Sequence, residues 1–159
     1  MAAFAHRELF APLGMDHATL ELDAAGTPLG STHLWAAPRD WARFGYLYLN
    51  DGVLGNERLL PEGWVFASAK YTEQSGAVGY GAGFWTQRGP SEGAARRVKL
   101  GLPDDSFMAR GAQGQYVVIV PSQQLVVVRM GHAFTPLGDI ENVARLVADV
   151  IAALTGSAA

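Results

Sequence analysis

Cysteine is absent from the 159 residues, which excludes disulfides and thiolate catalysis and leaves the compartment unreadable from redox chemistry. Lysine occurs only at positions 70 and 99, and the net charge is −3 with acids and bases interspersed. No basic stripe points to nucleic acid, and neither end carries a charged tail. No apolar run approaches the length of a membrane span. The opening residues, Met1 to Arg7, have no basic region followed by an apolar stretch and do not read as a signal peptide. The histidines at 6, 17, 33 and 132 are scattered and lack metal-ligand spacing, so no metal or other cofactor is expected. Asp104-Asp105 follows Pro103 and reads as a turn, not a carboxylate dyad. What remains is ordinary globular material, 49% hydrophobic and 17% charged. It is long enough for one domain with a sizeable core.

The chain divides by composition into a mainly helical part, 1–75, and a part of strands plus a last helix, 76–159. Residues 4 to 10 read as the end of a helix, stopped by Ala11-Pro12-Leu13-Gly14. Pro38 suits a helical first turn, where its missing N–H costs nothing. Trp41, Phe44, Gly45 and Tyr48 then fall on one helical face, and Asn50-Asp51-Gly52 tolerate the positive φ that ends a helix. A shorter helix is expected from Leu60 through about Ala69. Gly79 to Trp85 is Gly-rich and aromatic and suits a strand entered through a flexible turn, while 89 to 106 reads as a surface excursion.

Residues 107–110 read as a strand. Tyr116 to Val120 and Leu125 to Met130 are dominated by β-branched residues and predict two more, joined by a hairpin loop at Pro121 to Gln124. Their near-continuous apolarity implies burial on both faces. A final helix over 139–154 carries Ile140, Val143, Val147, Val150 and Leu154 as its apolar stripe. The expected class is α+β: an antiparallel sheet, a C-terminal helix on one face, and a preceding helical segment. The opposite sheet face is expected to lack cover and to favour self-association.

Several stretches together resemble the serine β-lactamase-like superfamily of class C β-lactamases, DD-peptidases, related esterases and aminohexanoate-oligomer hydrolases. Leu9 to Met15 is similar to the segment that follows the family's middle catalytic motif. Pro38 to Gly52 resembles its D-x-A-R-F-G-x-L-x-L-N-x-G helix, continued by Leu59-Leu60-Pro61 and Trp64. Tyr80-Gly81-Ala82-Gly83-Phe84-Trp85 resembles its Y-G-x-G-F/W-W strand, and Phe107 to Gln115 its third-motif strand. The resemblance covers nearly the whole chain and implies a partial DD-peptidase fold. Gly111-Ala112-Gln113-Gly114-Gln115 looks closest to the aminohexanoate-oligomer hydrolase and esterase branch.

In that superfamily the serine of S-x-x-K attacks a carbonyl, and a Y-x-N or S-D-N motif handles protons. None of the seven serines here stands three residues before a lysine; Ser68 and Lys70 are two apart and lie on different sides of a helix. Tyr48-Leu49-Asn50 matches Y-x-N by letters but lies within the amphipathic helix, where it serves packing and termination. The expectation is therefore the C-terminal part of a serine hydrolase acting on a small ester or amide, inactive alone, whose partner is a missing N-terminal segment or a second copy. A non-catalytic small binding protein and the smaller subunit of a two-chain hydrolase are the alternatives.

The resemblance places the third motif on Ala109-Arg110-Gly111, without its usual Lys and Thr. It implies Gly111 for close backbone approach and the Ala112 N–H as an oxyanion donor, with Gln113, Arg110, Trp85 and Tyr80 toward substrate. Otherwise Gly111 to Gln115 is a glycine-bent strand, Arg110 an exposed strand-end cation, and the two aromatics core.

Overall fold

The computed structural model describes residues 1–30, 32–133 and 138–156. It opens with α1 (Ala2–Ala5), a wide helical turn over His6–Phe10, and α2 (Ala11–Leu13). The opening helical run thus continues through Pro12 to Leu13 and ends at left-handed Gly14. Short hairpins β1 (Thr19–Leu20) with β2 (Leu34–Trp35) and β3 (Val53–Leu54) with β4 (Glu57–Arg58) flank α3 (Pro38–Leu49). α4 (Trp64–Ala69) begins three residues after Pro61, later than expected, since left-handed Gly63 breaks the run.

The main sheet is antiparallel, in the order β5 (Trp85–Thr86), β6 (Phe107–Gly111), β7 (Gln115–Val120), β8 (Leu125–Arg129). Met108 stands opposite Val118, and Val118 opposite Val127. The period of two sorts side chains to opposite faces. Met108, Tyr116, Val118, Val120 and Val127 meet Ile140, Val143, Ala144 and Val147 of α6 (Gly138–Thr155). Phe107, Val117 and Ile119 meet Trp41, Phe44 and Tyr48 of α3 together with α4.

Two expectations about packing are corrected here. The second sheet face is not bare, because α3 covers it. A Cβ on Gly45 would stand 2.5 Å from Val126 and 2.9 Å from Val117, so only glycine lets the helix backbone lie this close to β7 and β8. On α6 the inner face continues through Ala144 and Ile151, while Leu154 is 68% exposed.

The stretch 89–106 is also not a mere surface excursion: it holds α5 (Glu92–Lys99), capped by Ser91, whose Oγ accepts from the Ala94 N–H. Lys99 accordingly ends a helix and does not lie in a loop. No helix among the described residues is long and apolar enough to cross a membrane.

Candidate functional site

The candidate residues cluster where β5 and β6 leave the sheet toward α6. Trp85 pairs with Met108 across the ladder, so it lies on the α6 face beside Arg110. The Trp85 and Tyr80 rings meet edge to face at 5.4 Å between centroids. The Arg110 guanidinium lies 5.5 Å from the centre of the Trp85 ring and 5.6 Å from that of Tyr116. Tyr80, Trp85 and Arg110 thus form one contiguous group of a cation and π-faces.

Beyond Arg110 the ladder closes at Gly111↔Gln115. Ala112 opens a 3-10 turn past that last pair and is exposed, as are Gly111 and Gln113. Gln113 sits at φ 60°, ψ 27°, left-handed without being glycine. The segment after β8 braces this conformation. The Ala133 N–H donates to the Gln113 carbonyl at 2.9 Å, and Arg129 donates to the Gly114 carbonyl. Gln115 and Gly131 exchange two hydrogen bonds. Gln113 is therefore tied to the 129–133 segment.

Sequence reasoning missed two residues that organise the cluster. Asp139, at the start of α6, accepts from Arg110 Nη2 at 2.9 Å, from the Tyr116 hydroxyl at 2.8 Å, and from the Ile140 N–H at 2.8 Å. Arg97 of α5 is 7% exposed. Its Nε donates to Gln87 Oε1 at 2.6 Å, and its terminal nitrogens donate to the carbonyls of Val78, Gly79 and Thr86. It ties the loop that leads into Tyr80 to β5, 5.6 Å from the Trp85 ring.

Burial and the hydrogen bond to Asp139 push the Tyr116 phenol well above its ordinary range, so it stays a donor at neutral pH. Burial raises the Asp139 carboxyl, but the Tyr116 and Arg110 hydrogen bonds and the Arg110 charge outweigh it and bring the net value below the ordinary 3.8. A depressed folded value gives stability that is present above the unfolded pKa and lost as pH falls through the folded one. Asp139→Asn should therefore be less stable than the parent near neutrality, and the gap should close as pH drops below 3.8. Urea midpoints measured from pH 7 to pH 2 check this, and a gap independent of pH would contradict it.

Two concavities lie beside α5, the first sharing Gln87 with the Arg97 network. One, of about 610 Å³, is bordered by Gln87, Pro90, Glu92 and Lys99, and one of about 460 Å³ by Val98, Leu102, Ile151 and Thr155. Among the described residues no group of three or more His, Asp or Glu is placed to hold a metal ion.

The Beta-lactamase family model matches residues 1–152. No curated protein matches the chain. Among solved structures, a Bacillus anthracis protein provisionally assigned as a 6-aminohexanoate-dimer hydrolase superposes with a TM-score of 0.74 at 24% identity, covering 96% of this chain and 38% of its own. A Bacteroides dorei DSM 17855 protein provisionally assigned as a beta-lactamase gives a TM-score of 0.57 at 18% identity, covering 98% of this chain and 50% of its own. The chain thus spans half or less of the length of these two structures. Its mixture of helices and antiparallel strands is a β-lactamase-related hydrolase fold, in the extent that such coverage represents.

Proposed function

Since the chain belongs to the β-lactamase family, we propose that residues 1–159 form the C-terminal part of a single β-lactamase-related domain. That domain is a serine hydrolase that cleaves small esters or amides through an acyl-enzyme. The observation that carries this reading is the end of β6: an exposed turn, with left-handed Gln113, set past the last ladder pair and next to Arg110. Backbone N–H groups that stand outside the sheet ladder and are braced in place suit the oxyanion of a tetrahedral intermediate. In this reading Gly111 admits the acyl group, the Ala112 N–H is one donor, and Gln113, Arg110, Trp85 and Tyr80 face substrate. The name of the Bacillus anthracis relative supports an amide between amino-acid units as one substrate class.

The nucleophile must come from elsewhere, because no serine of the chain stands three residues before a lysine. In keeping with a two-part arrangement, β8 is the last strand in the order of the main sheet, and its outer row of N–H and C=O groups suits a strand from another segment or from a second copy.

A segment bearing S-x-x-K and the middle motif, taken from such a hydrolase and supplied as a fusion or a second chain, should restore hydrolysis of a nitrophenyl ester. In that complex Ala112→Pro removes the proposed donor. Gly111 is extended at φ −102°, ψ 175° and accepts a following proline. The substitution should lower kcat by about 10²-fold. An unchanged kcat would remove Ala112 from the oxyanion role.

A further inference from the structure

Arg110 stands on β6 just before the proposed oxyanion turn, yet its charge is already met. Asp139 holds its Nη2 at 2.9 Å, and the Trp85 and Tyr116 rings lie beside its guanidinium. Asp139 is itself fixed: its side chain is 6% exposed, and it accepts from the Tyr116 hydroxyl and the Ile140 N–H. The other two cations of the cluster are committed to backbone, Arg97 to the carbonyls of residues 78, 79 and 86 and Arg129 to those of 114 and 131.

We infer that Asp139 is a specificity-determining residue of the site proposed above. By holding the Arg110 guanidinium, it withholds that cation from an incoming carboxylate, so that the site disfavours acyl groups that carry a carboxylate and accepts those that do not. The inference rests on the reading of the 110–113 turn as the substrate site. Its physical basis is competition between an intramolecular and a free partner. Asp139 is in place without loss of translational freedom, whereas a soluble carboxylate must pay that cost and also displace it. Sharing Arg110 would set two carboxylates against each other, which like charges resist. An uncharged acyl chain meets neither penalty and can lie along Trp85 and Tyr80.

The test uses the purified chain at pH 7 with hexanoate and hexanamide, which match in length and differ in charge. Binding is followed by the NMR signals of the Arg110 side-chain N–H and the Ala112 amide. The parent chain should bind hexanoate no more than about threefold tighter than hexanamide, with the Arg110 signal unmoved. Asp139→Asn and Asp139→Ser should each gain a preference for hexanoate of about tenfold, with the Arg110 signal shifting, and adding Arg110→Met should abolish the gain.

A tenfold preference for hexanoate in the parent chain would overturn the inference, and this arm stands even if neither Asp139 variant folds. Folded variants whose Arg110 signal ignores hexanoate would overturn it as well. If Arg110 responds in the variants but the Ala112 amide senses neither ligand, the role of Asp139 stands and the reading of the turn as the substrate site falls.

Discussion

Arg97→Met is expected to destabilise the chain by about 3–5 kcal/mol, because it would orphan several buried acceptors at once. The Arg97 side chain donates to Gln87 Oε1 and to the carbonyls of Val78, Gly79 and Thr86. Methionine has similar bulk and fills most of the space, so little of the loss would come from a cavity. It offers no donor, and an unsatisfied buried acceptor costs about 1–3 kcal/mol, reduced where water can reach it. Gln87 is linked onward to Ser106, so the effect should spread from the loop before Tyr80 to the start of β6.

Arg97→Lys should recover only part of the loss, since a single ammonium cannot span four acceptors arranged around a planar fork. Urea unfolding gives the magnitude. The near-ultraviolet circular dichroism of Trp85, which lies beside both Arg97 and Arg110, should weaken in the same variant. A methionine variant within 1 kcal/mol of the parent would show that these hydrogen bonds are readily replaced by solvent.

Arg97 also marks where the sequence stopped being readable. β7 and β8 were legible because runs of β-branched residues are bounded by Pro121 to Gln124, and α3 because its aromatic residues recur at helical spacing. α5 was not, since Glu92–Lys99 reads EGAARRVK and its two buried residues are Ala94 and Arg97. A pattern that assigns every arginine to solvent cannot find a helix anchored by one. The usable signals were its termini: Ser91 before it, and Arg96, Arg97 and Lys99 in its last turn.

At the candidate site the local letters gave the turn, since Gly111 to Gln115 announces a bend. They did not give its bracing. Positive φ falls on Gln113 as well as on Gly114, where glycine makes it easy, and the contacts that hold Gln113 come from residues 129–133. Asp139 is 29 residues from Arg110, and nothing in its neighbourhood of sequence points to that partner. The cover that α3 gives to the second sheet face was missed for a similar reason. Gly45 was counted as one more position on the helical face, when its missing side chain is what lets the helix lie against Val117 and Val126.

The purified chain is expected to remain unlabelled by a fluorophosphonate serine probe and to hydrolyse neither activated esters nor β-lactams above a protein blank. The reason is chemical. A serine hydroxyl is a poor nucleophile unless a base lies within hydrogen-bond reach, roughly 2.6–3.2 Å. Of the seven serines, Ser31 and Ser157 lie outside the described residues. Among the others, Ser91 caps α5 and Ser106 donates to the Pro103 carbonyl while accepting from Gln87, both in structural bonds. Ser122 is held by Asp105, Ser75 accepts from the Tyr80 N–H, and Ser68 is buried in α4 with Lys70 beyond the helix end. None of these is paired with a lysine or histidine. The proposed oxyanion turn, without a nucleophile, would leave only the acceleration that polarisation and binding provide, about 10³–10⁴-fold over water in enzymes stripped of their catalytic group. Even that presumes a bound substrate, and here half or less of the length of the related structures is present to bind one. Mixing the chain with a segment that bears S-x-x-K should bring labelling, and mass spectrometry should place the adduct on the added segment. Stoichiometric labelling of a serine within residues 1–159, abolished when that serine is changed to alanine, would overturn the assignment of the nucleophile to another part of the protein.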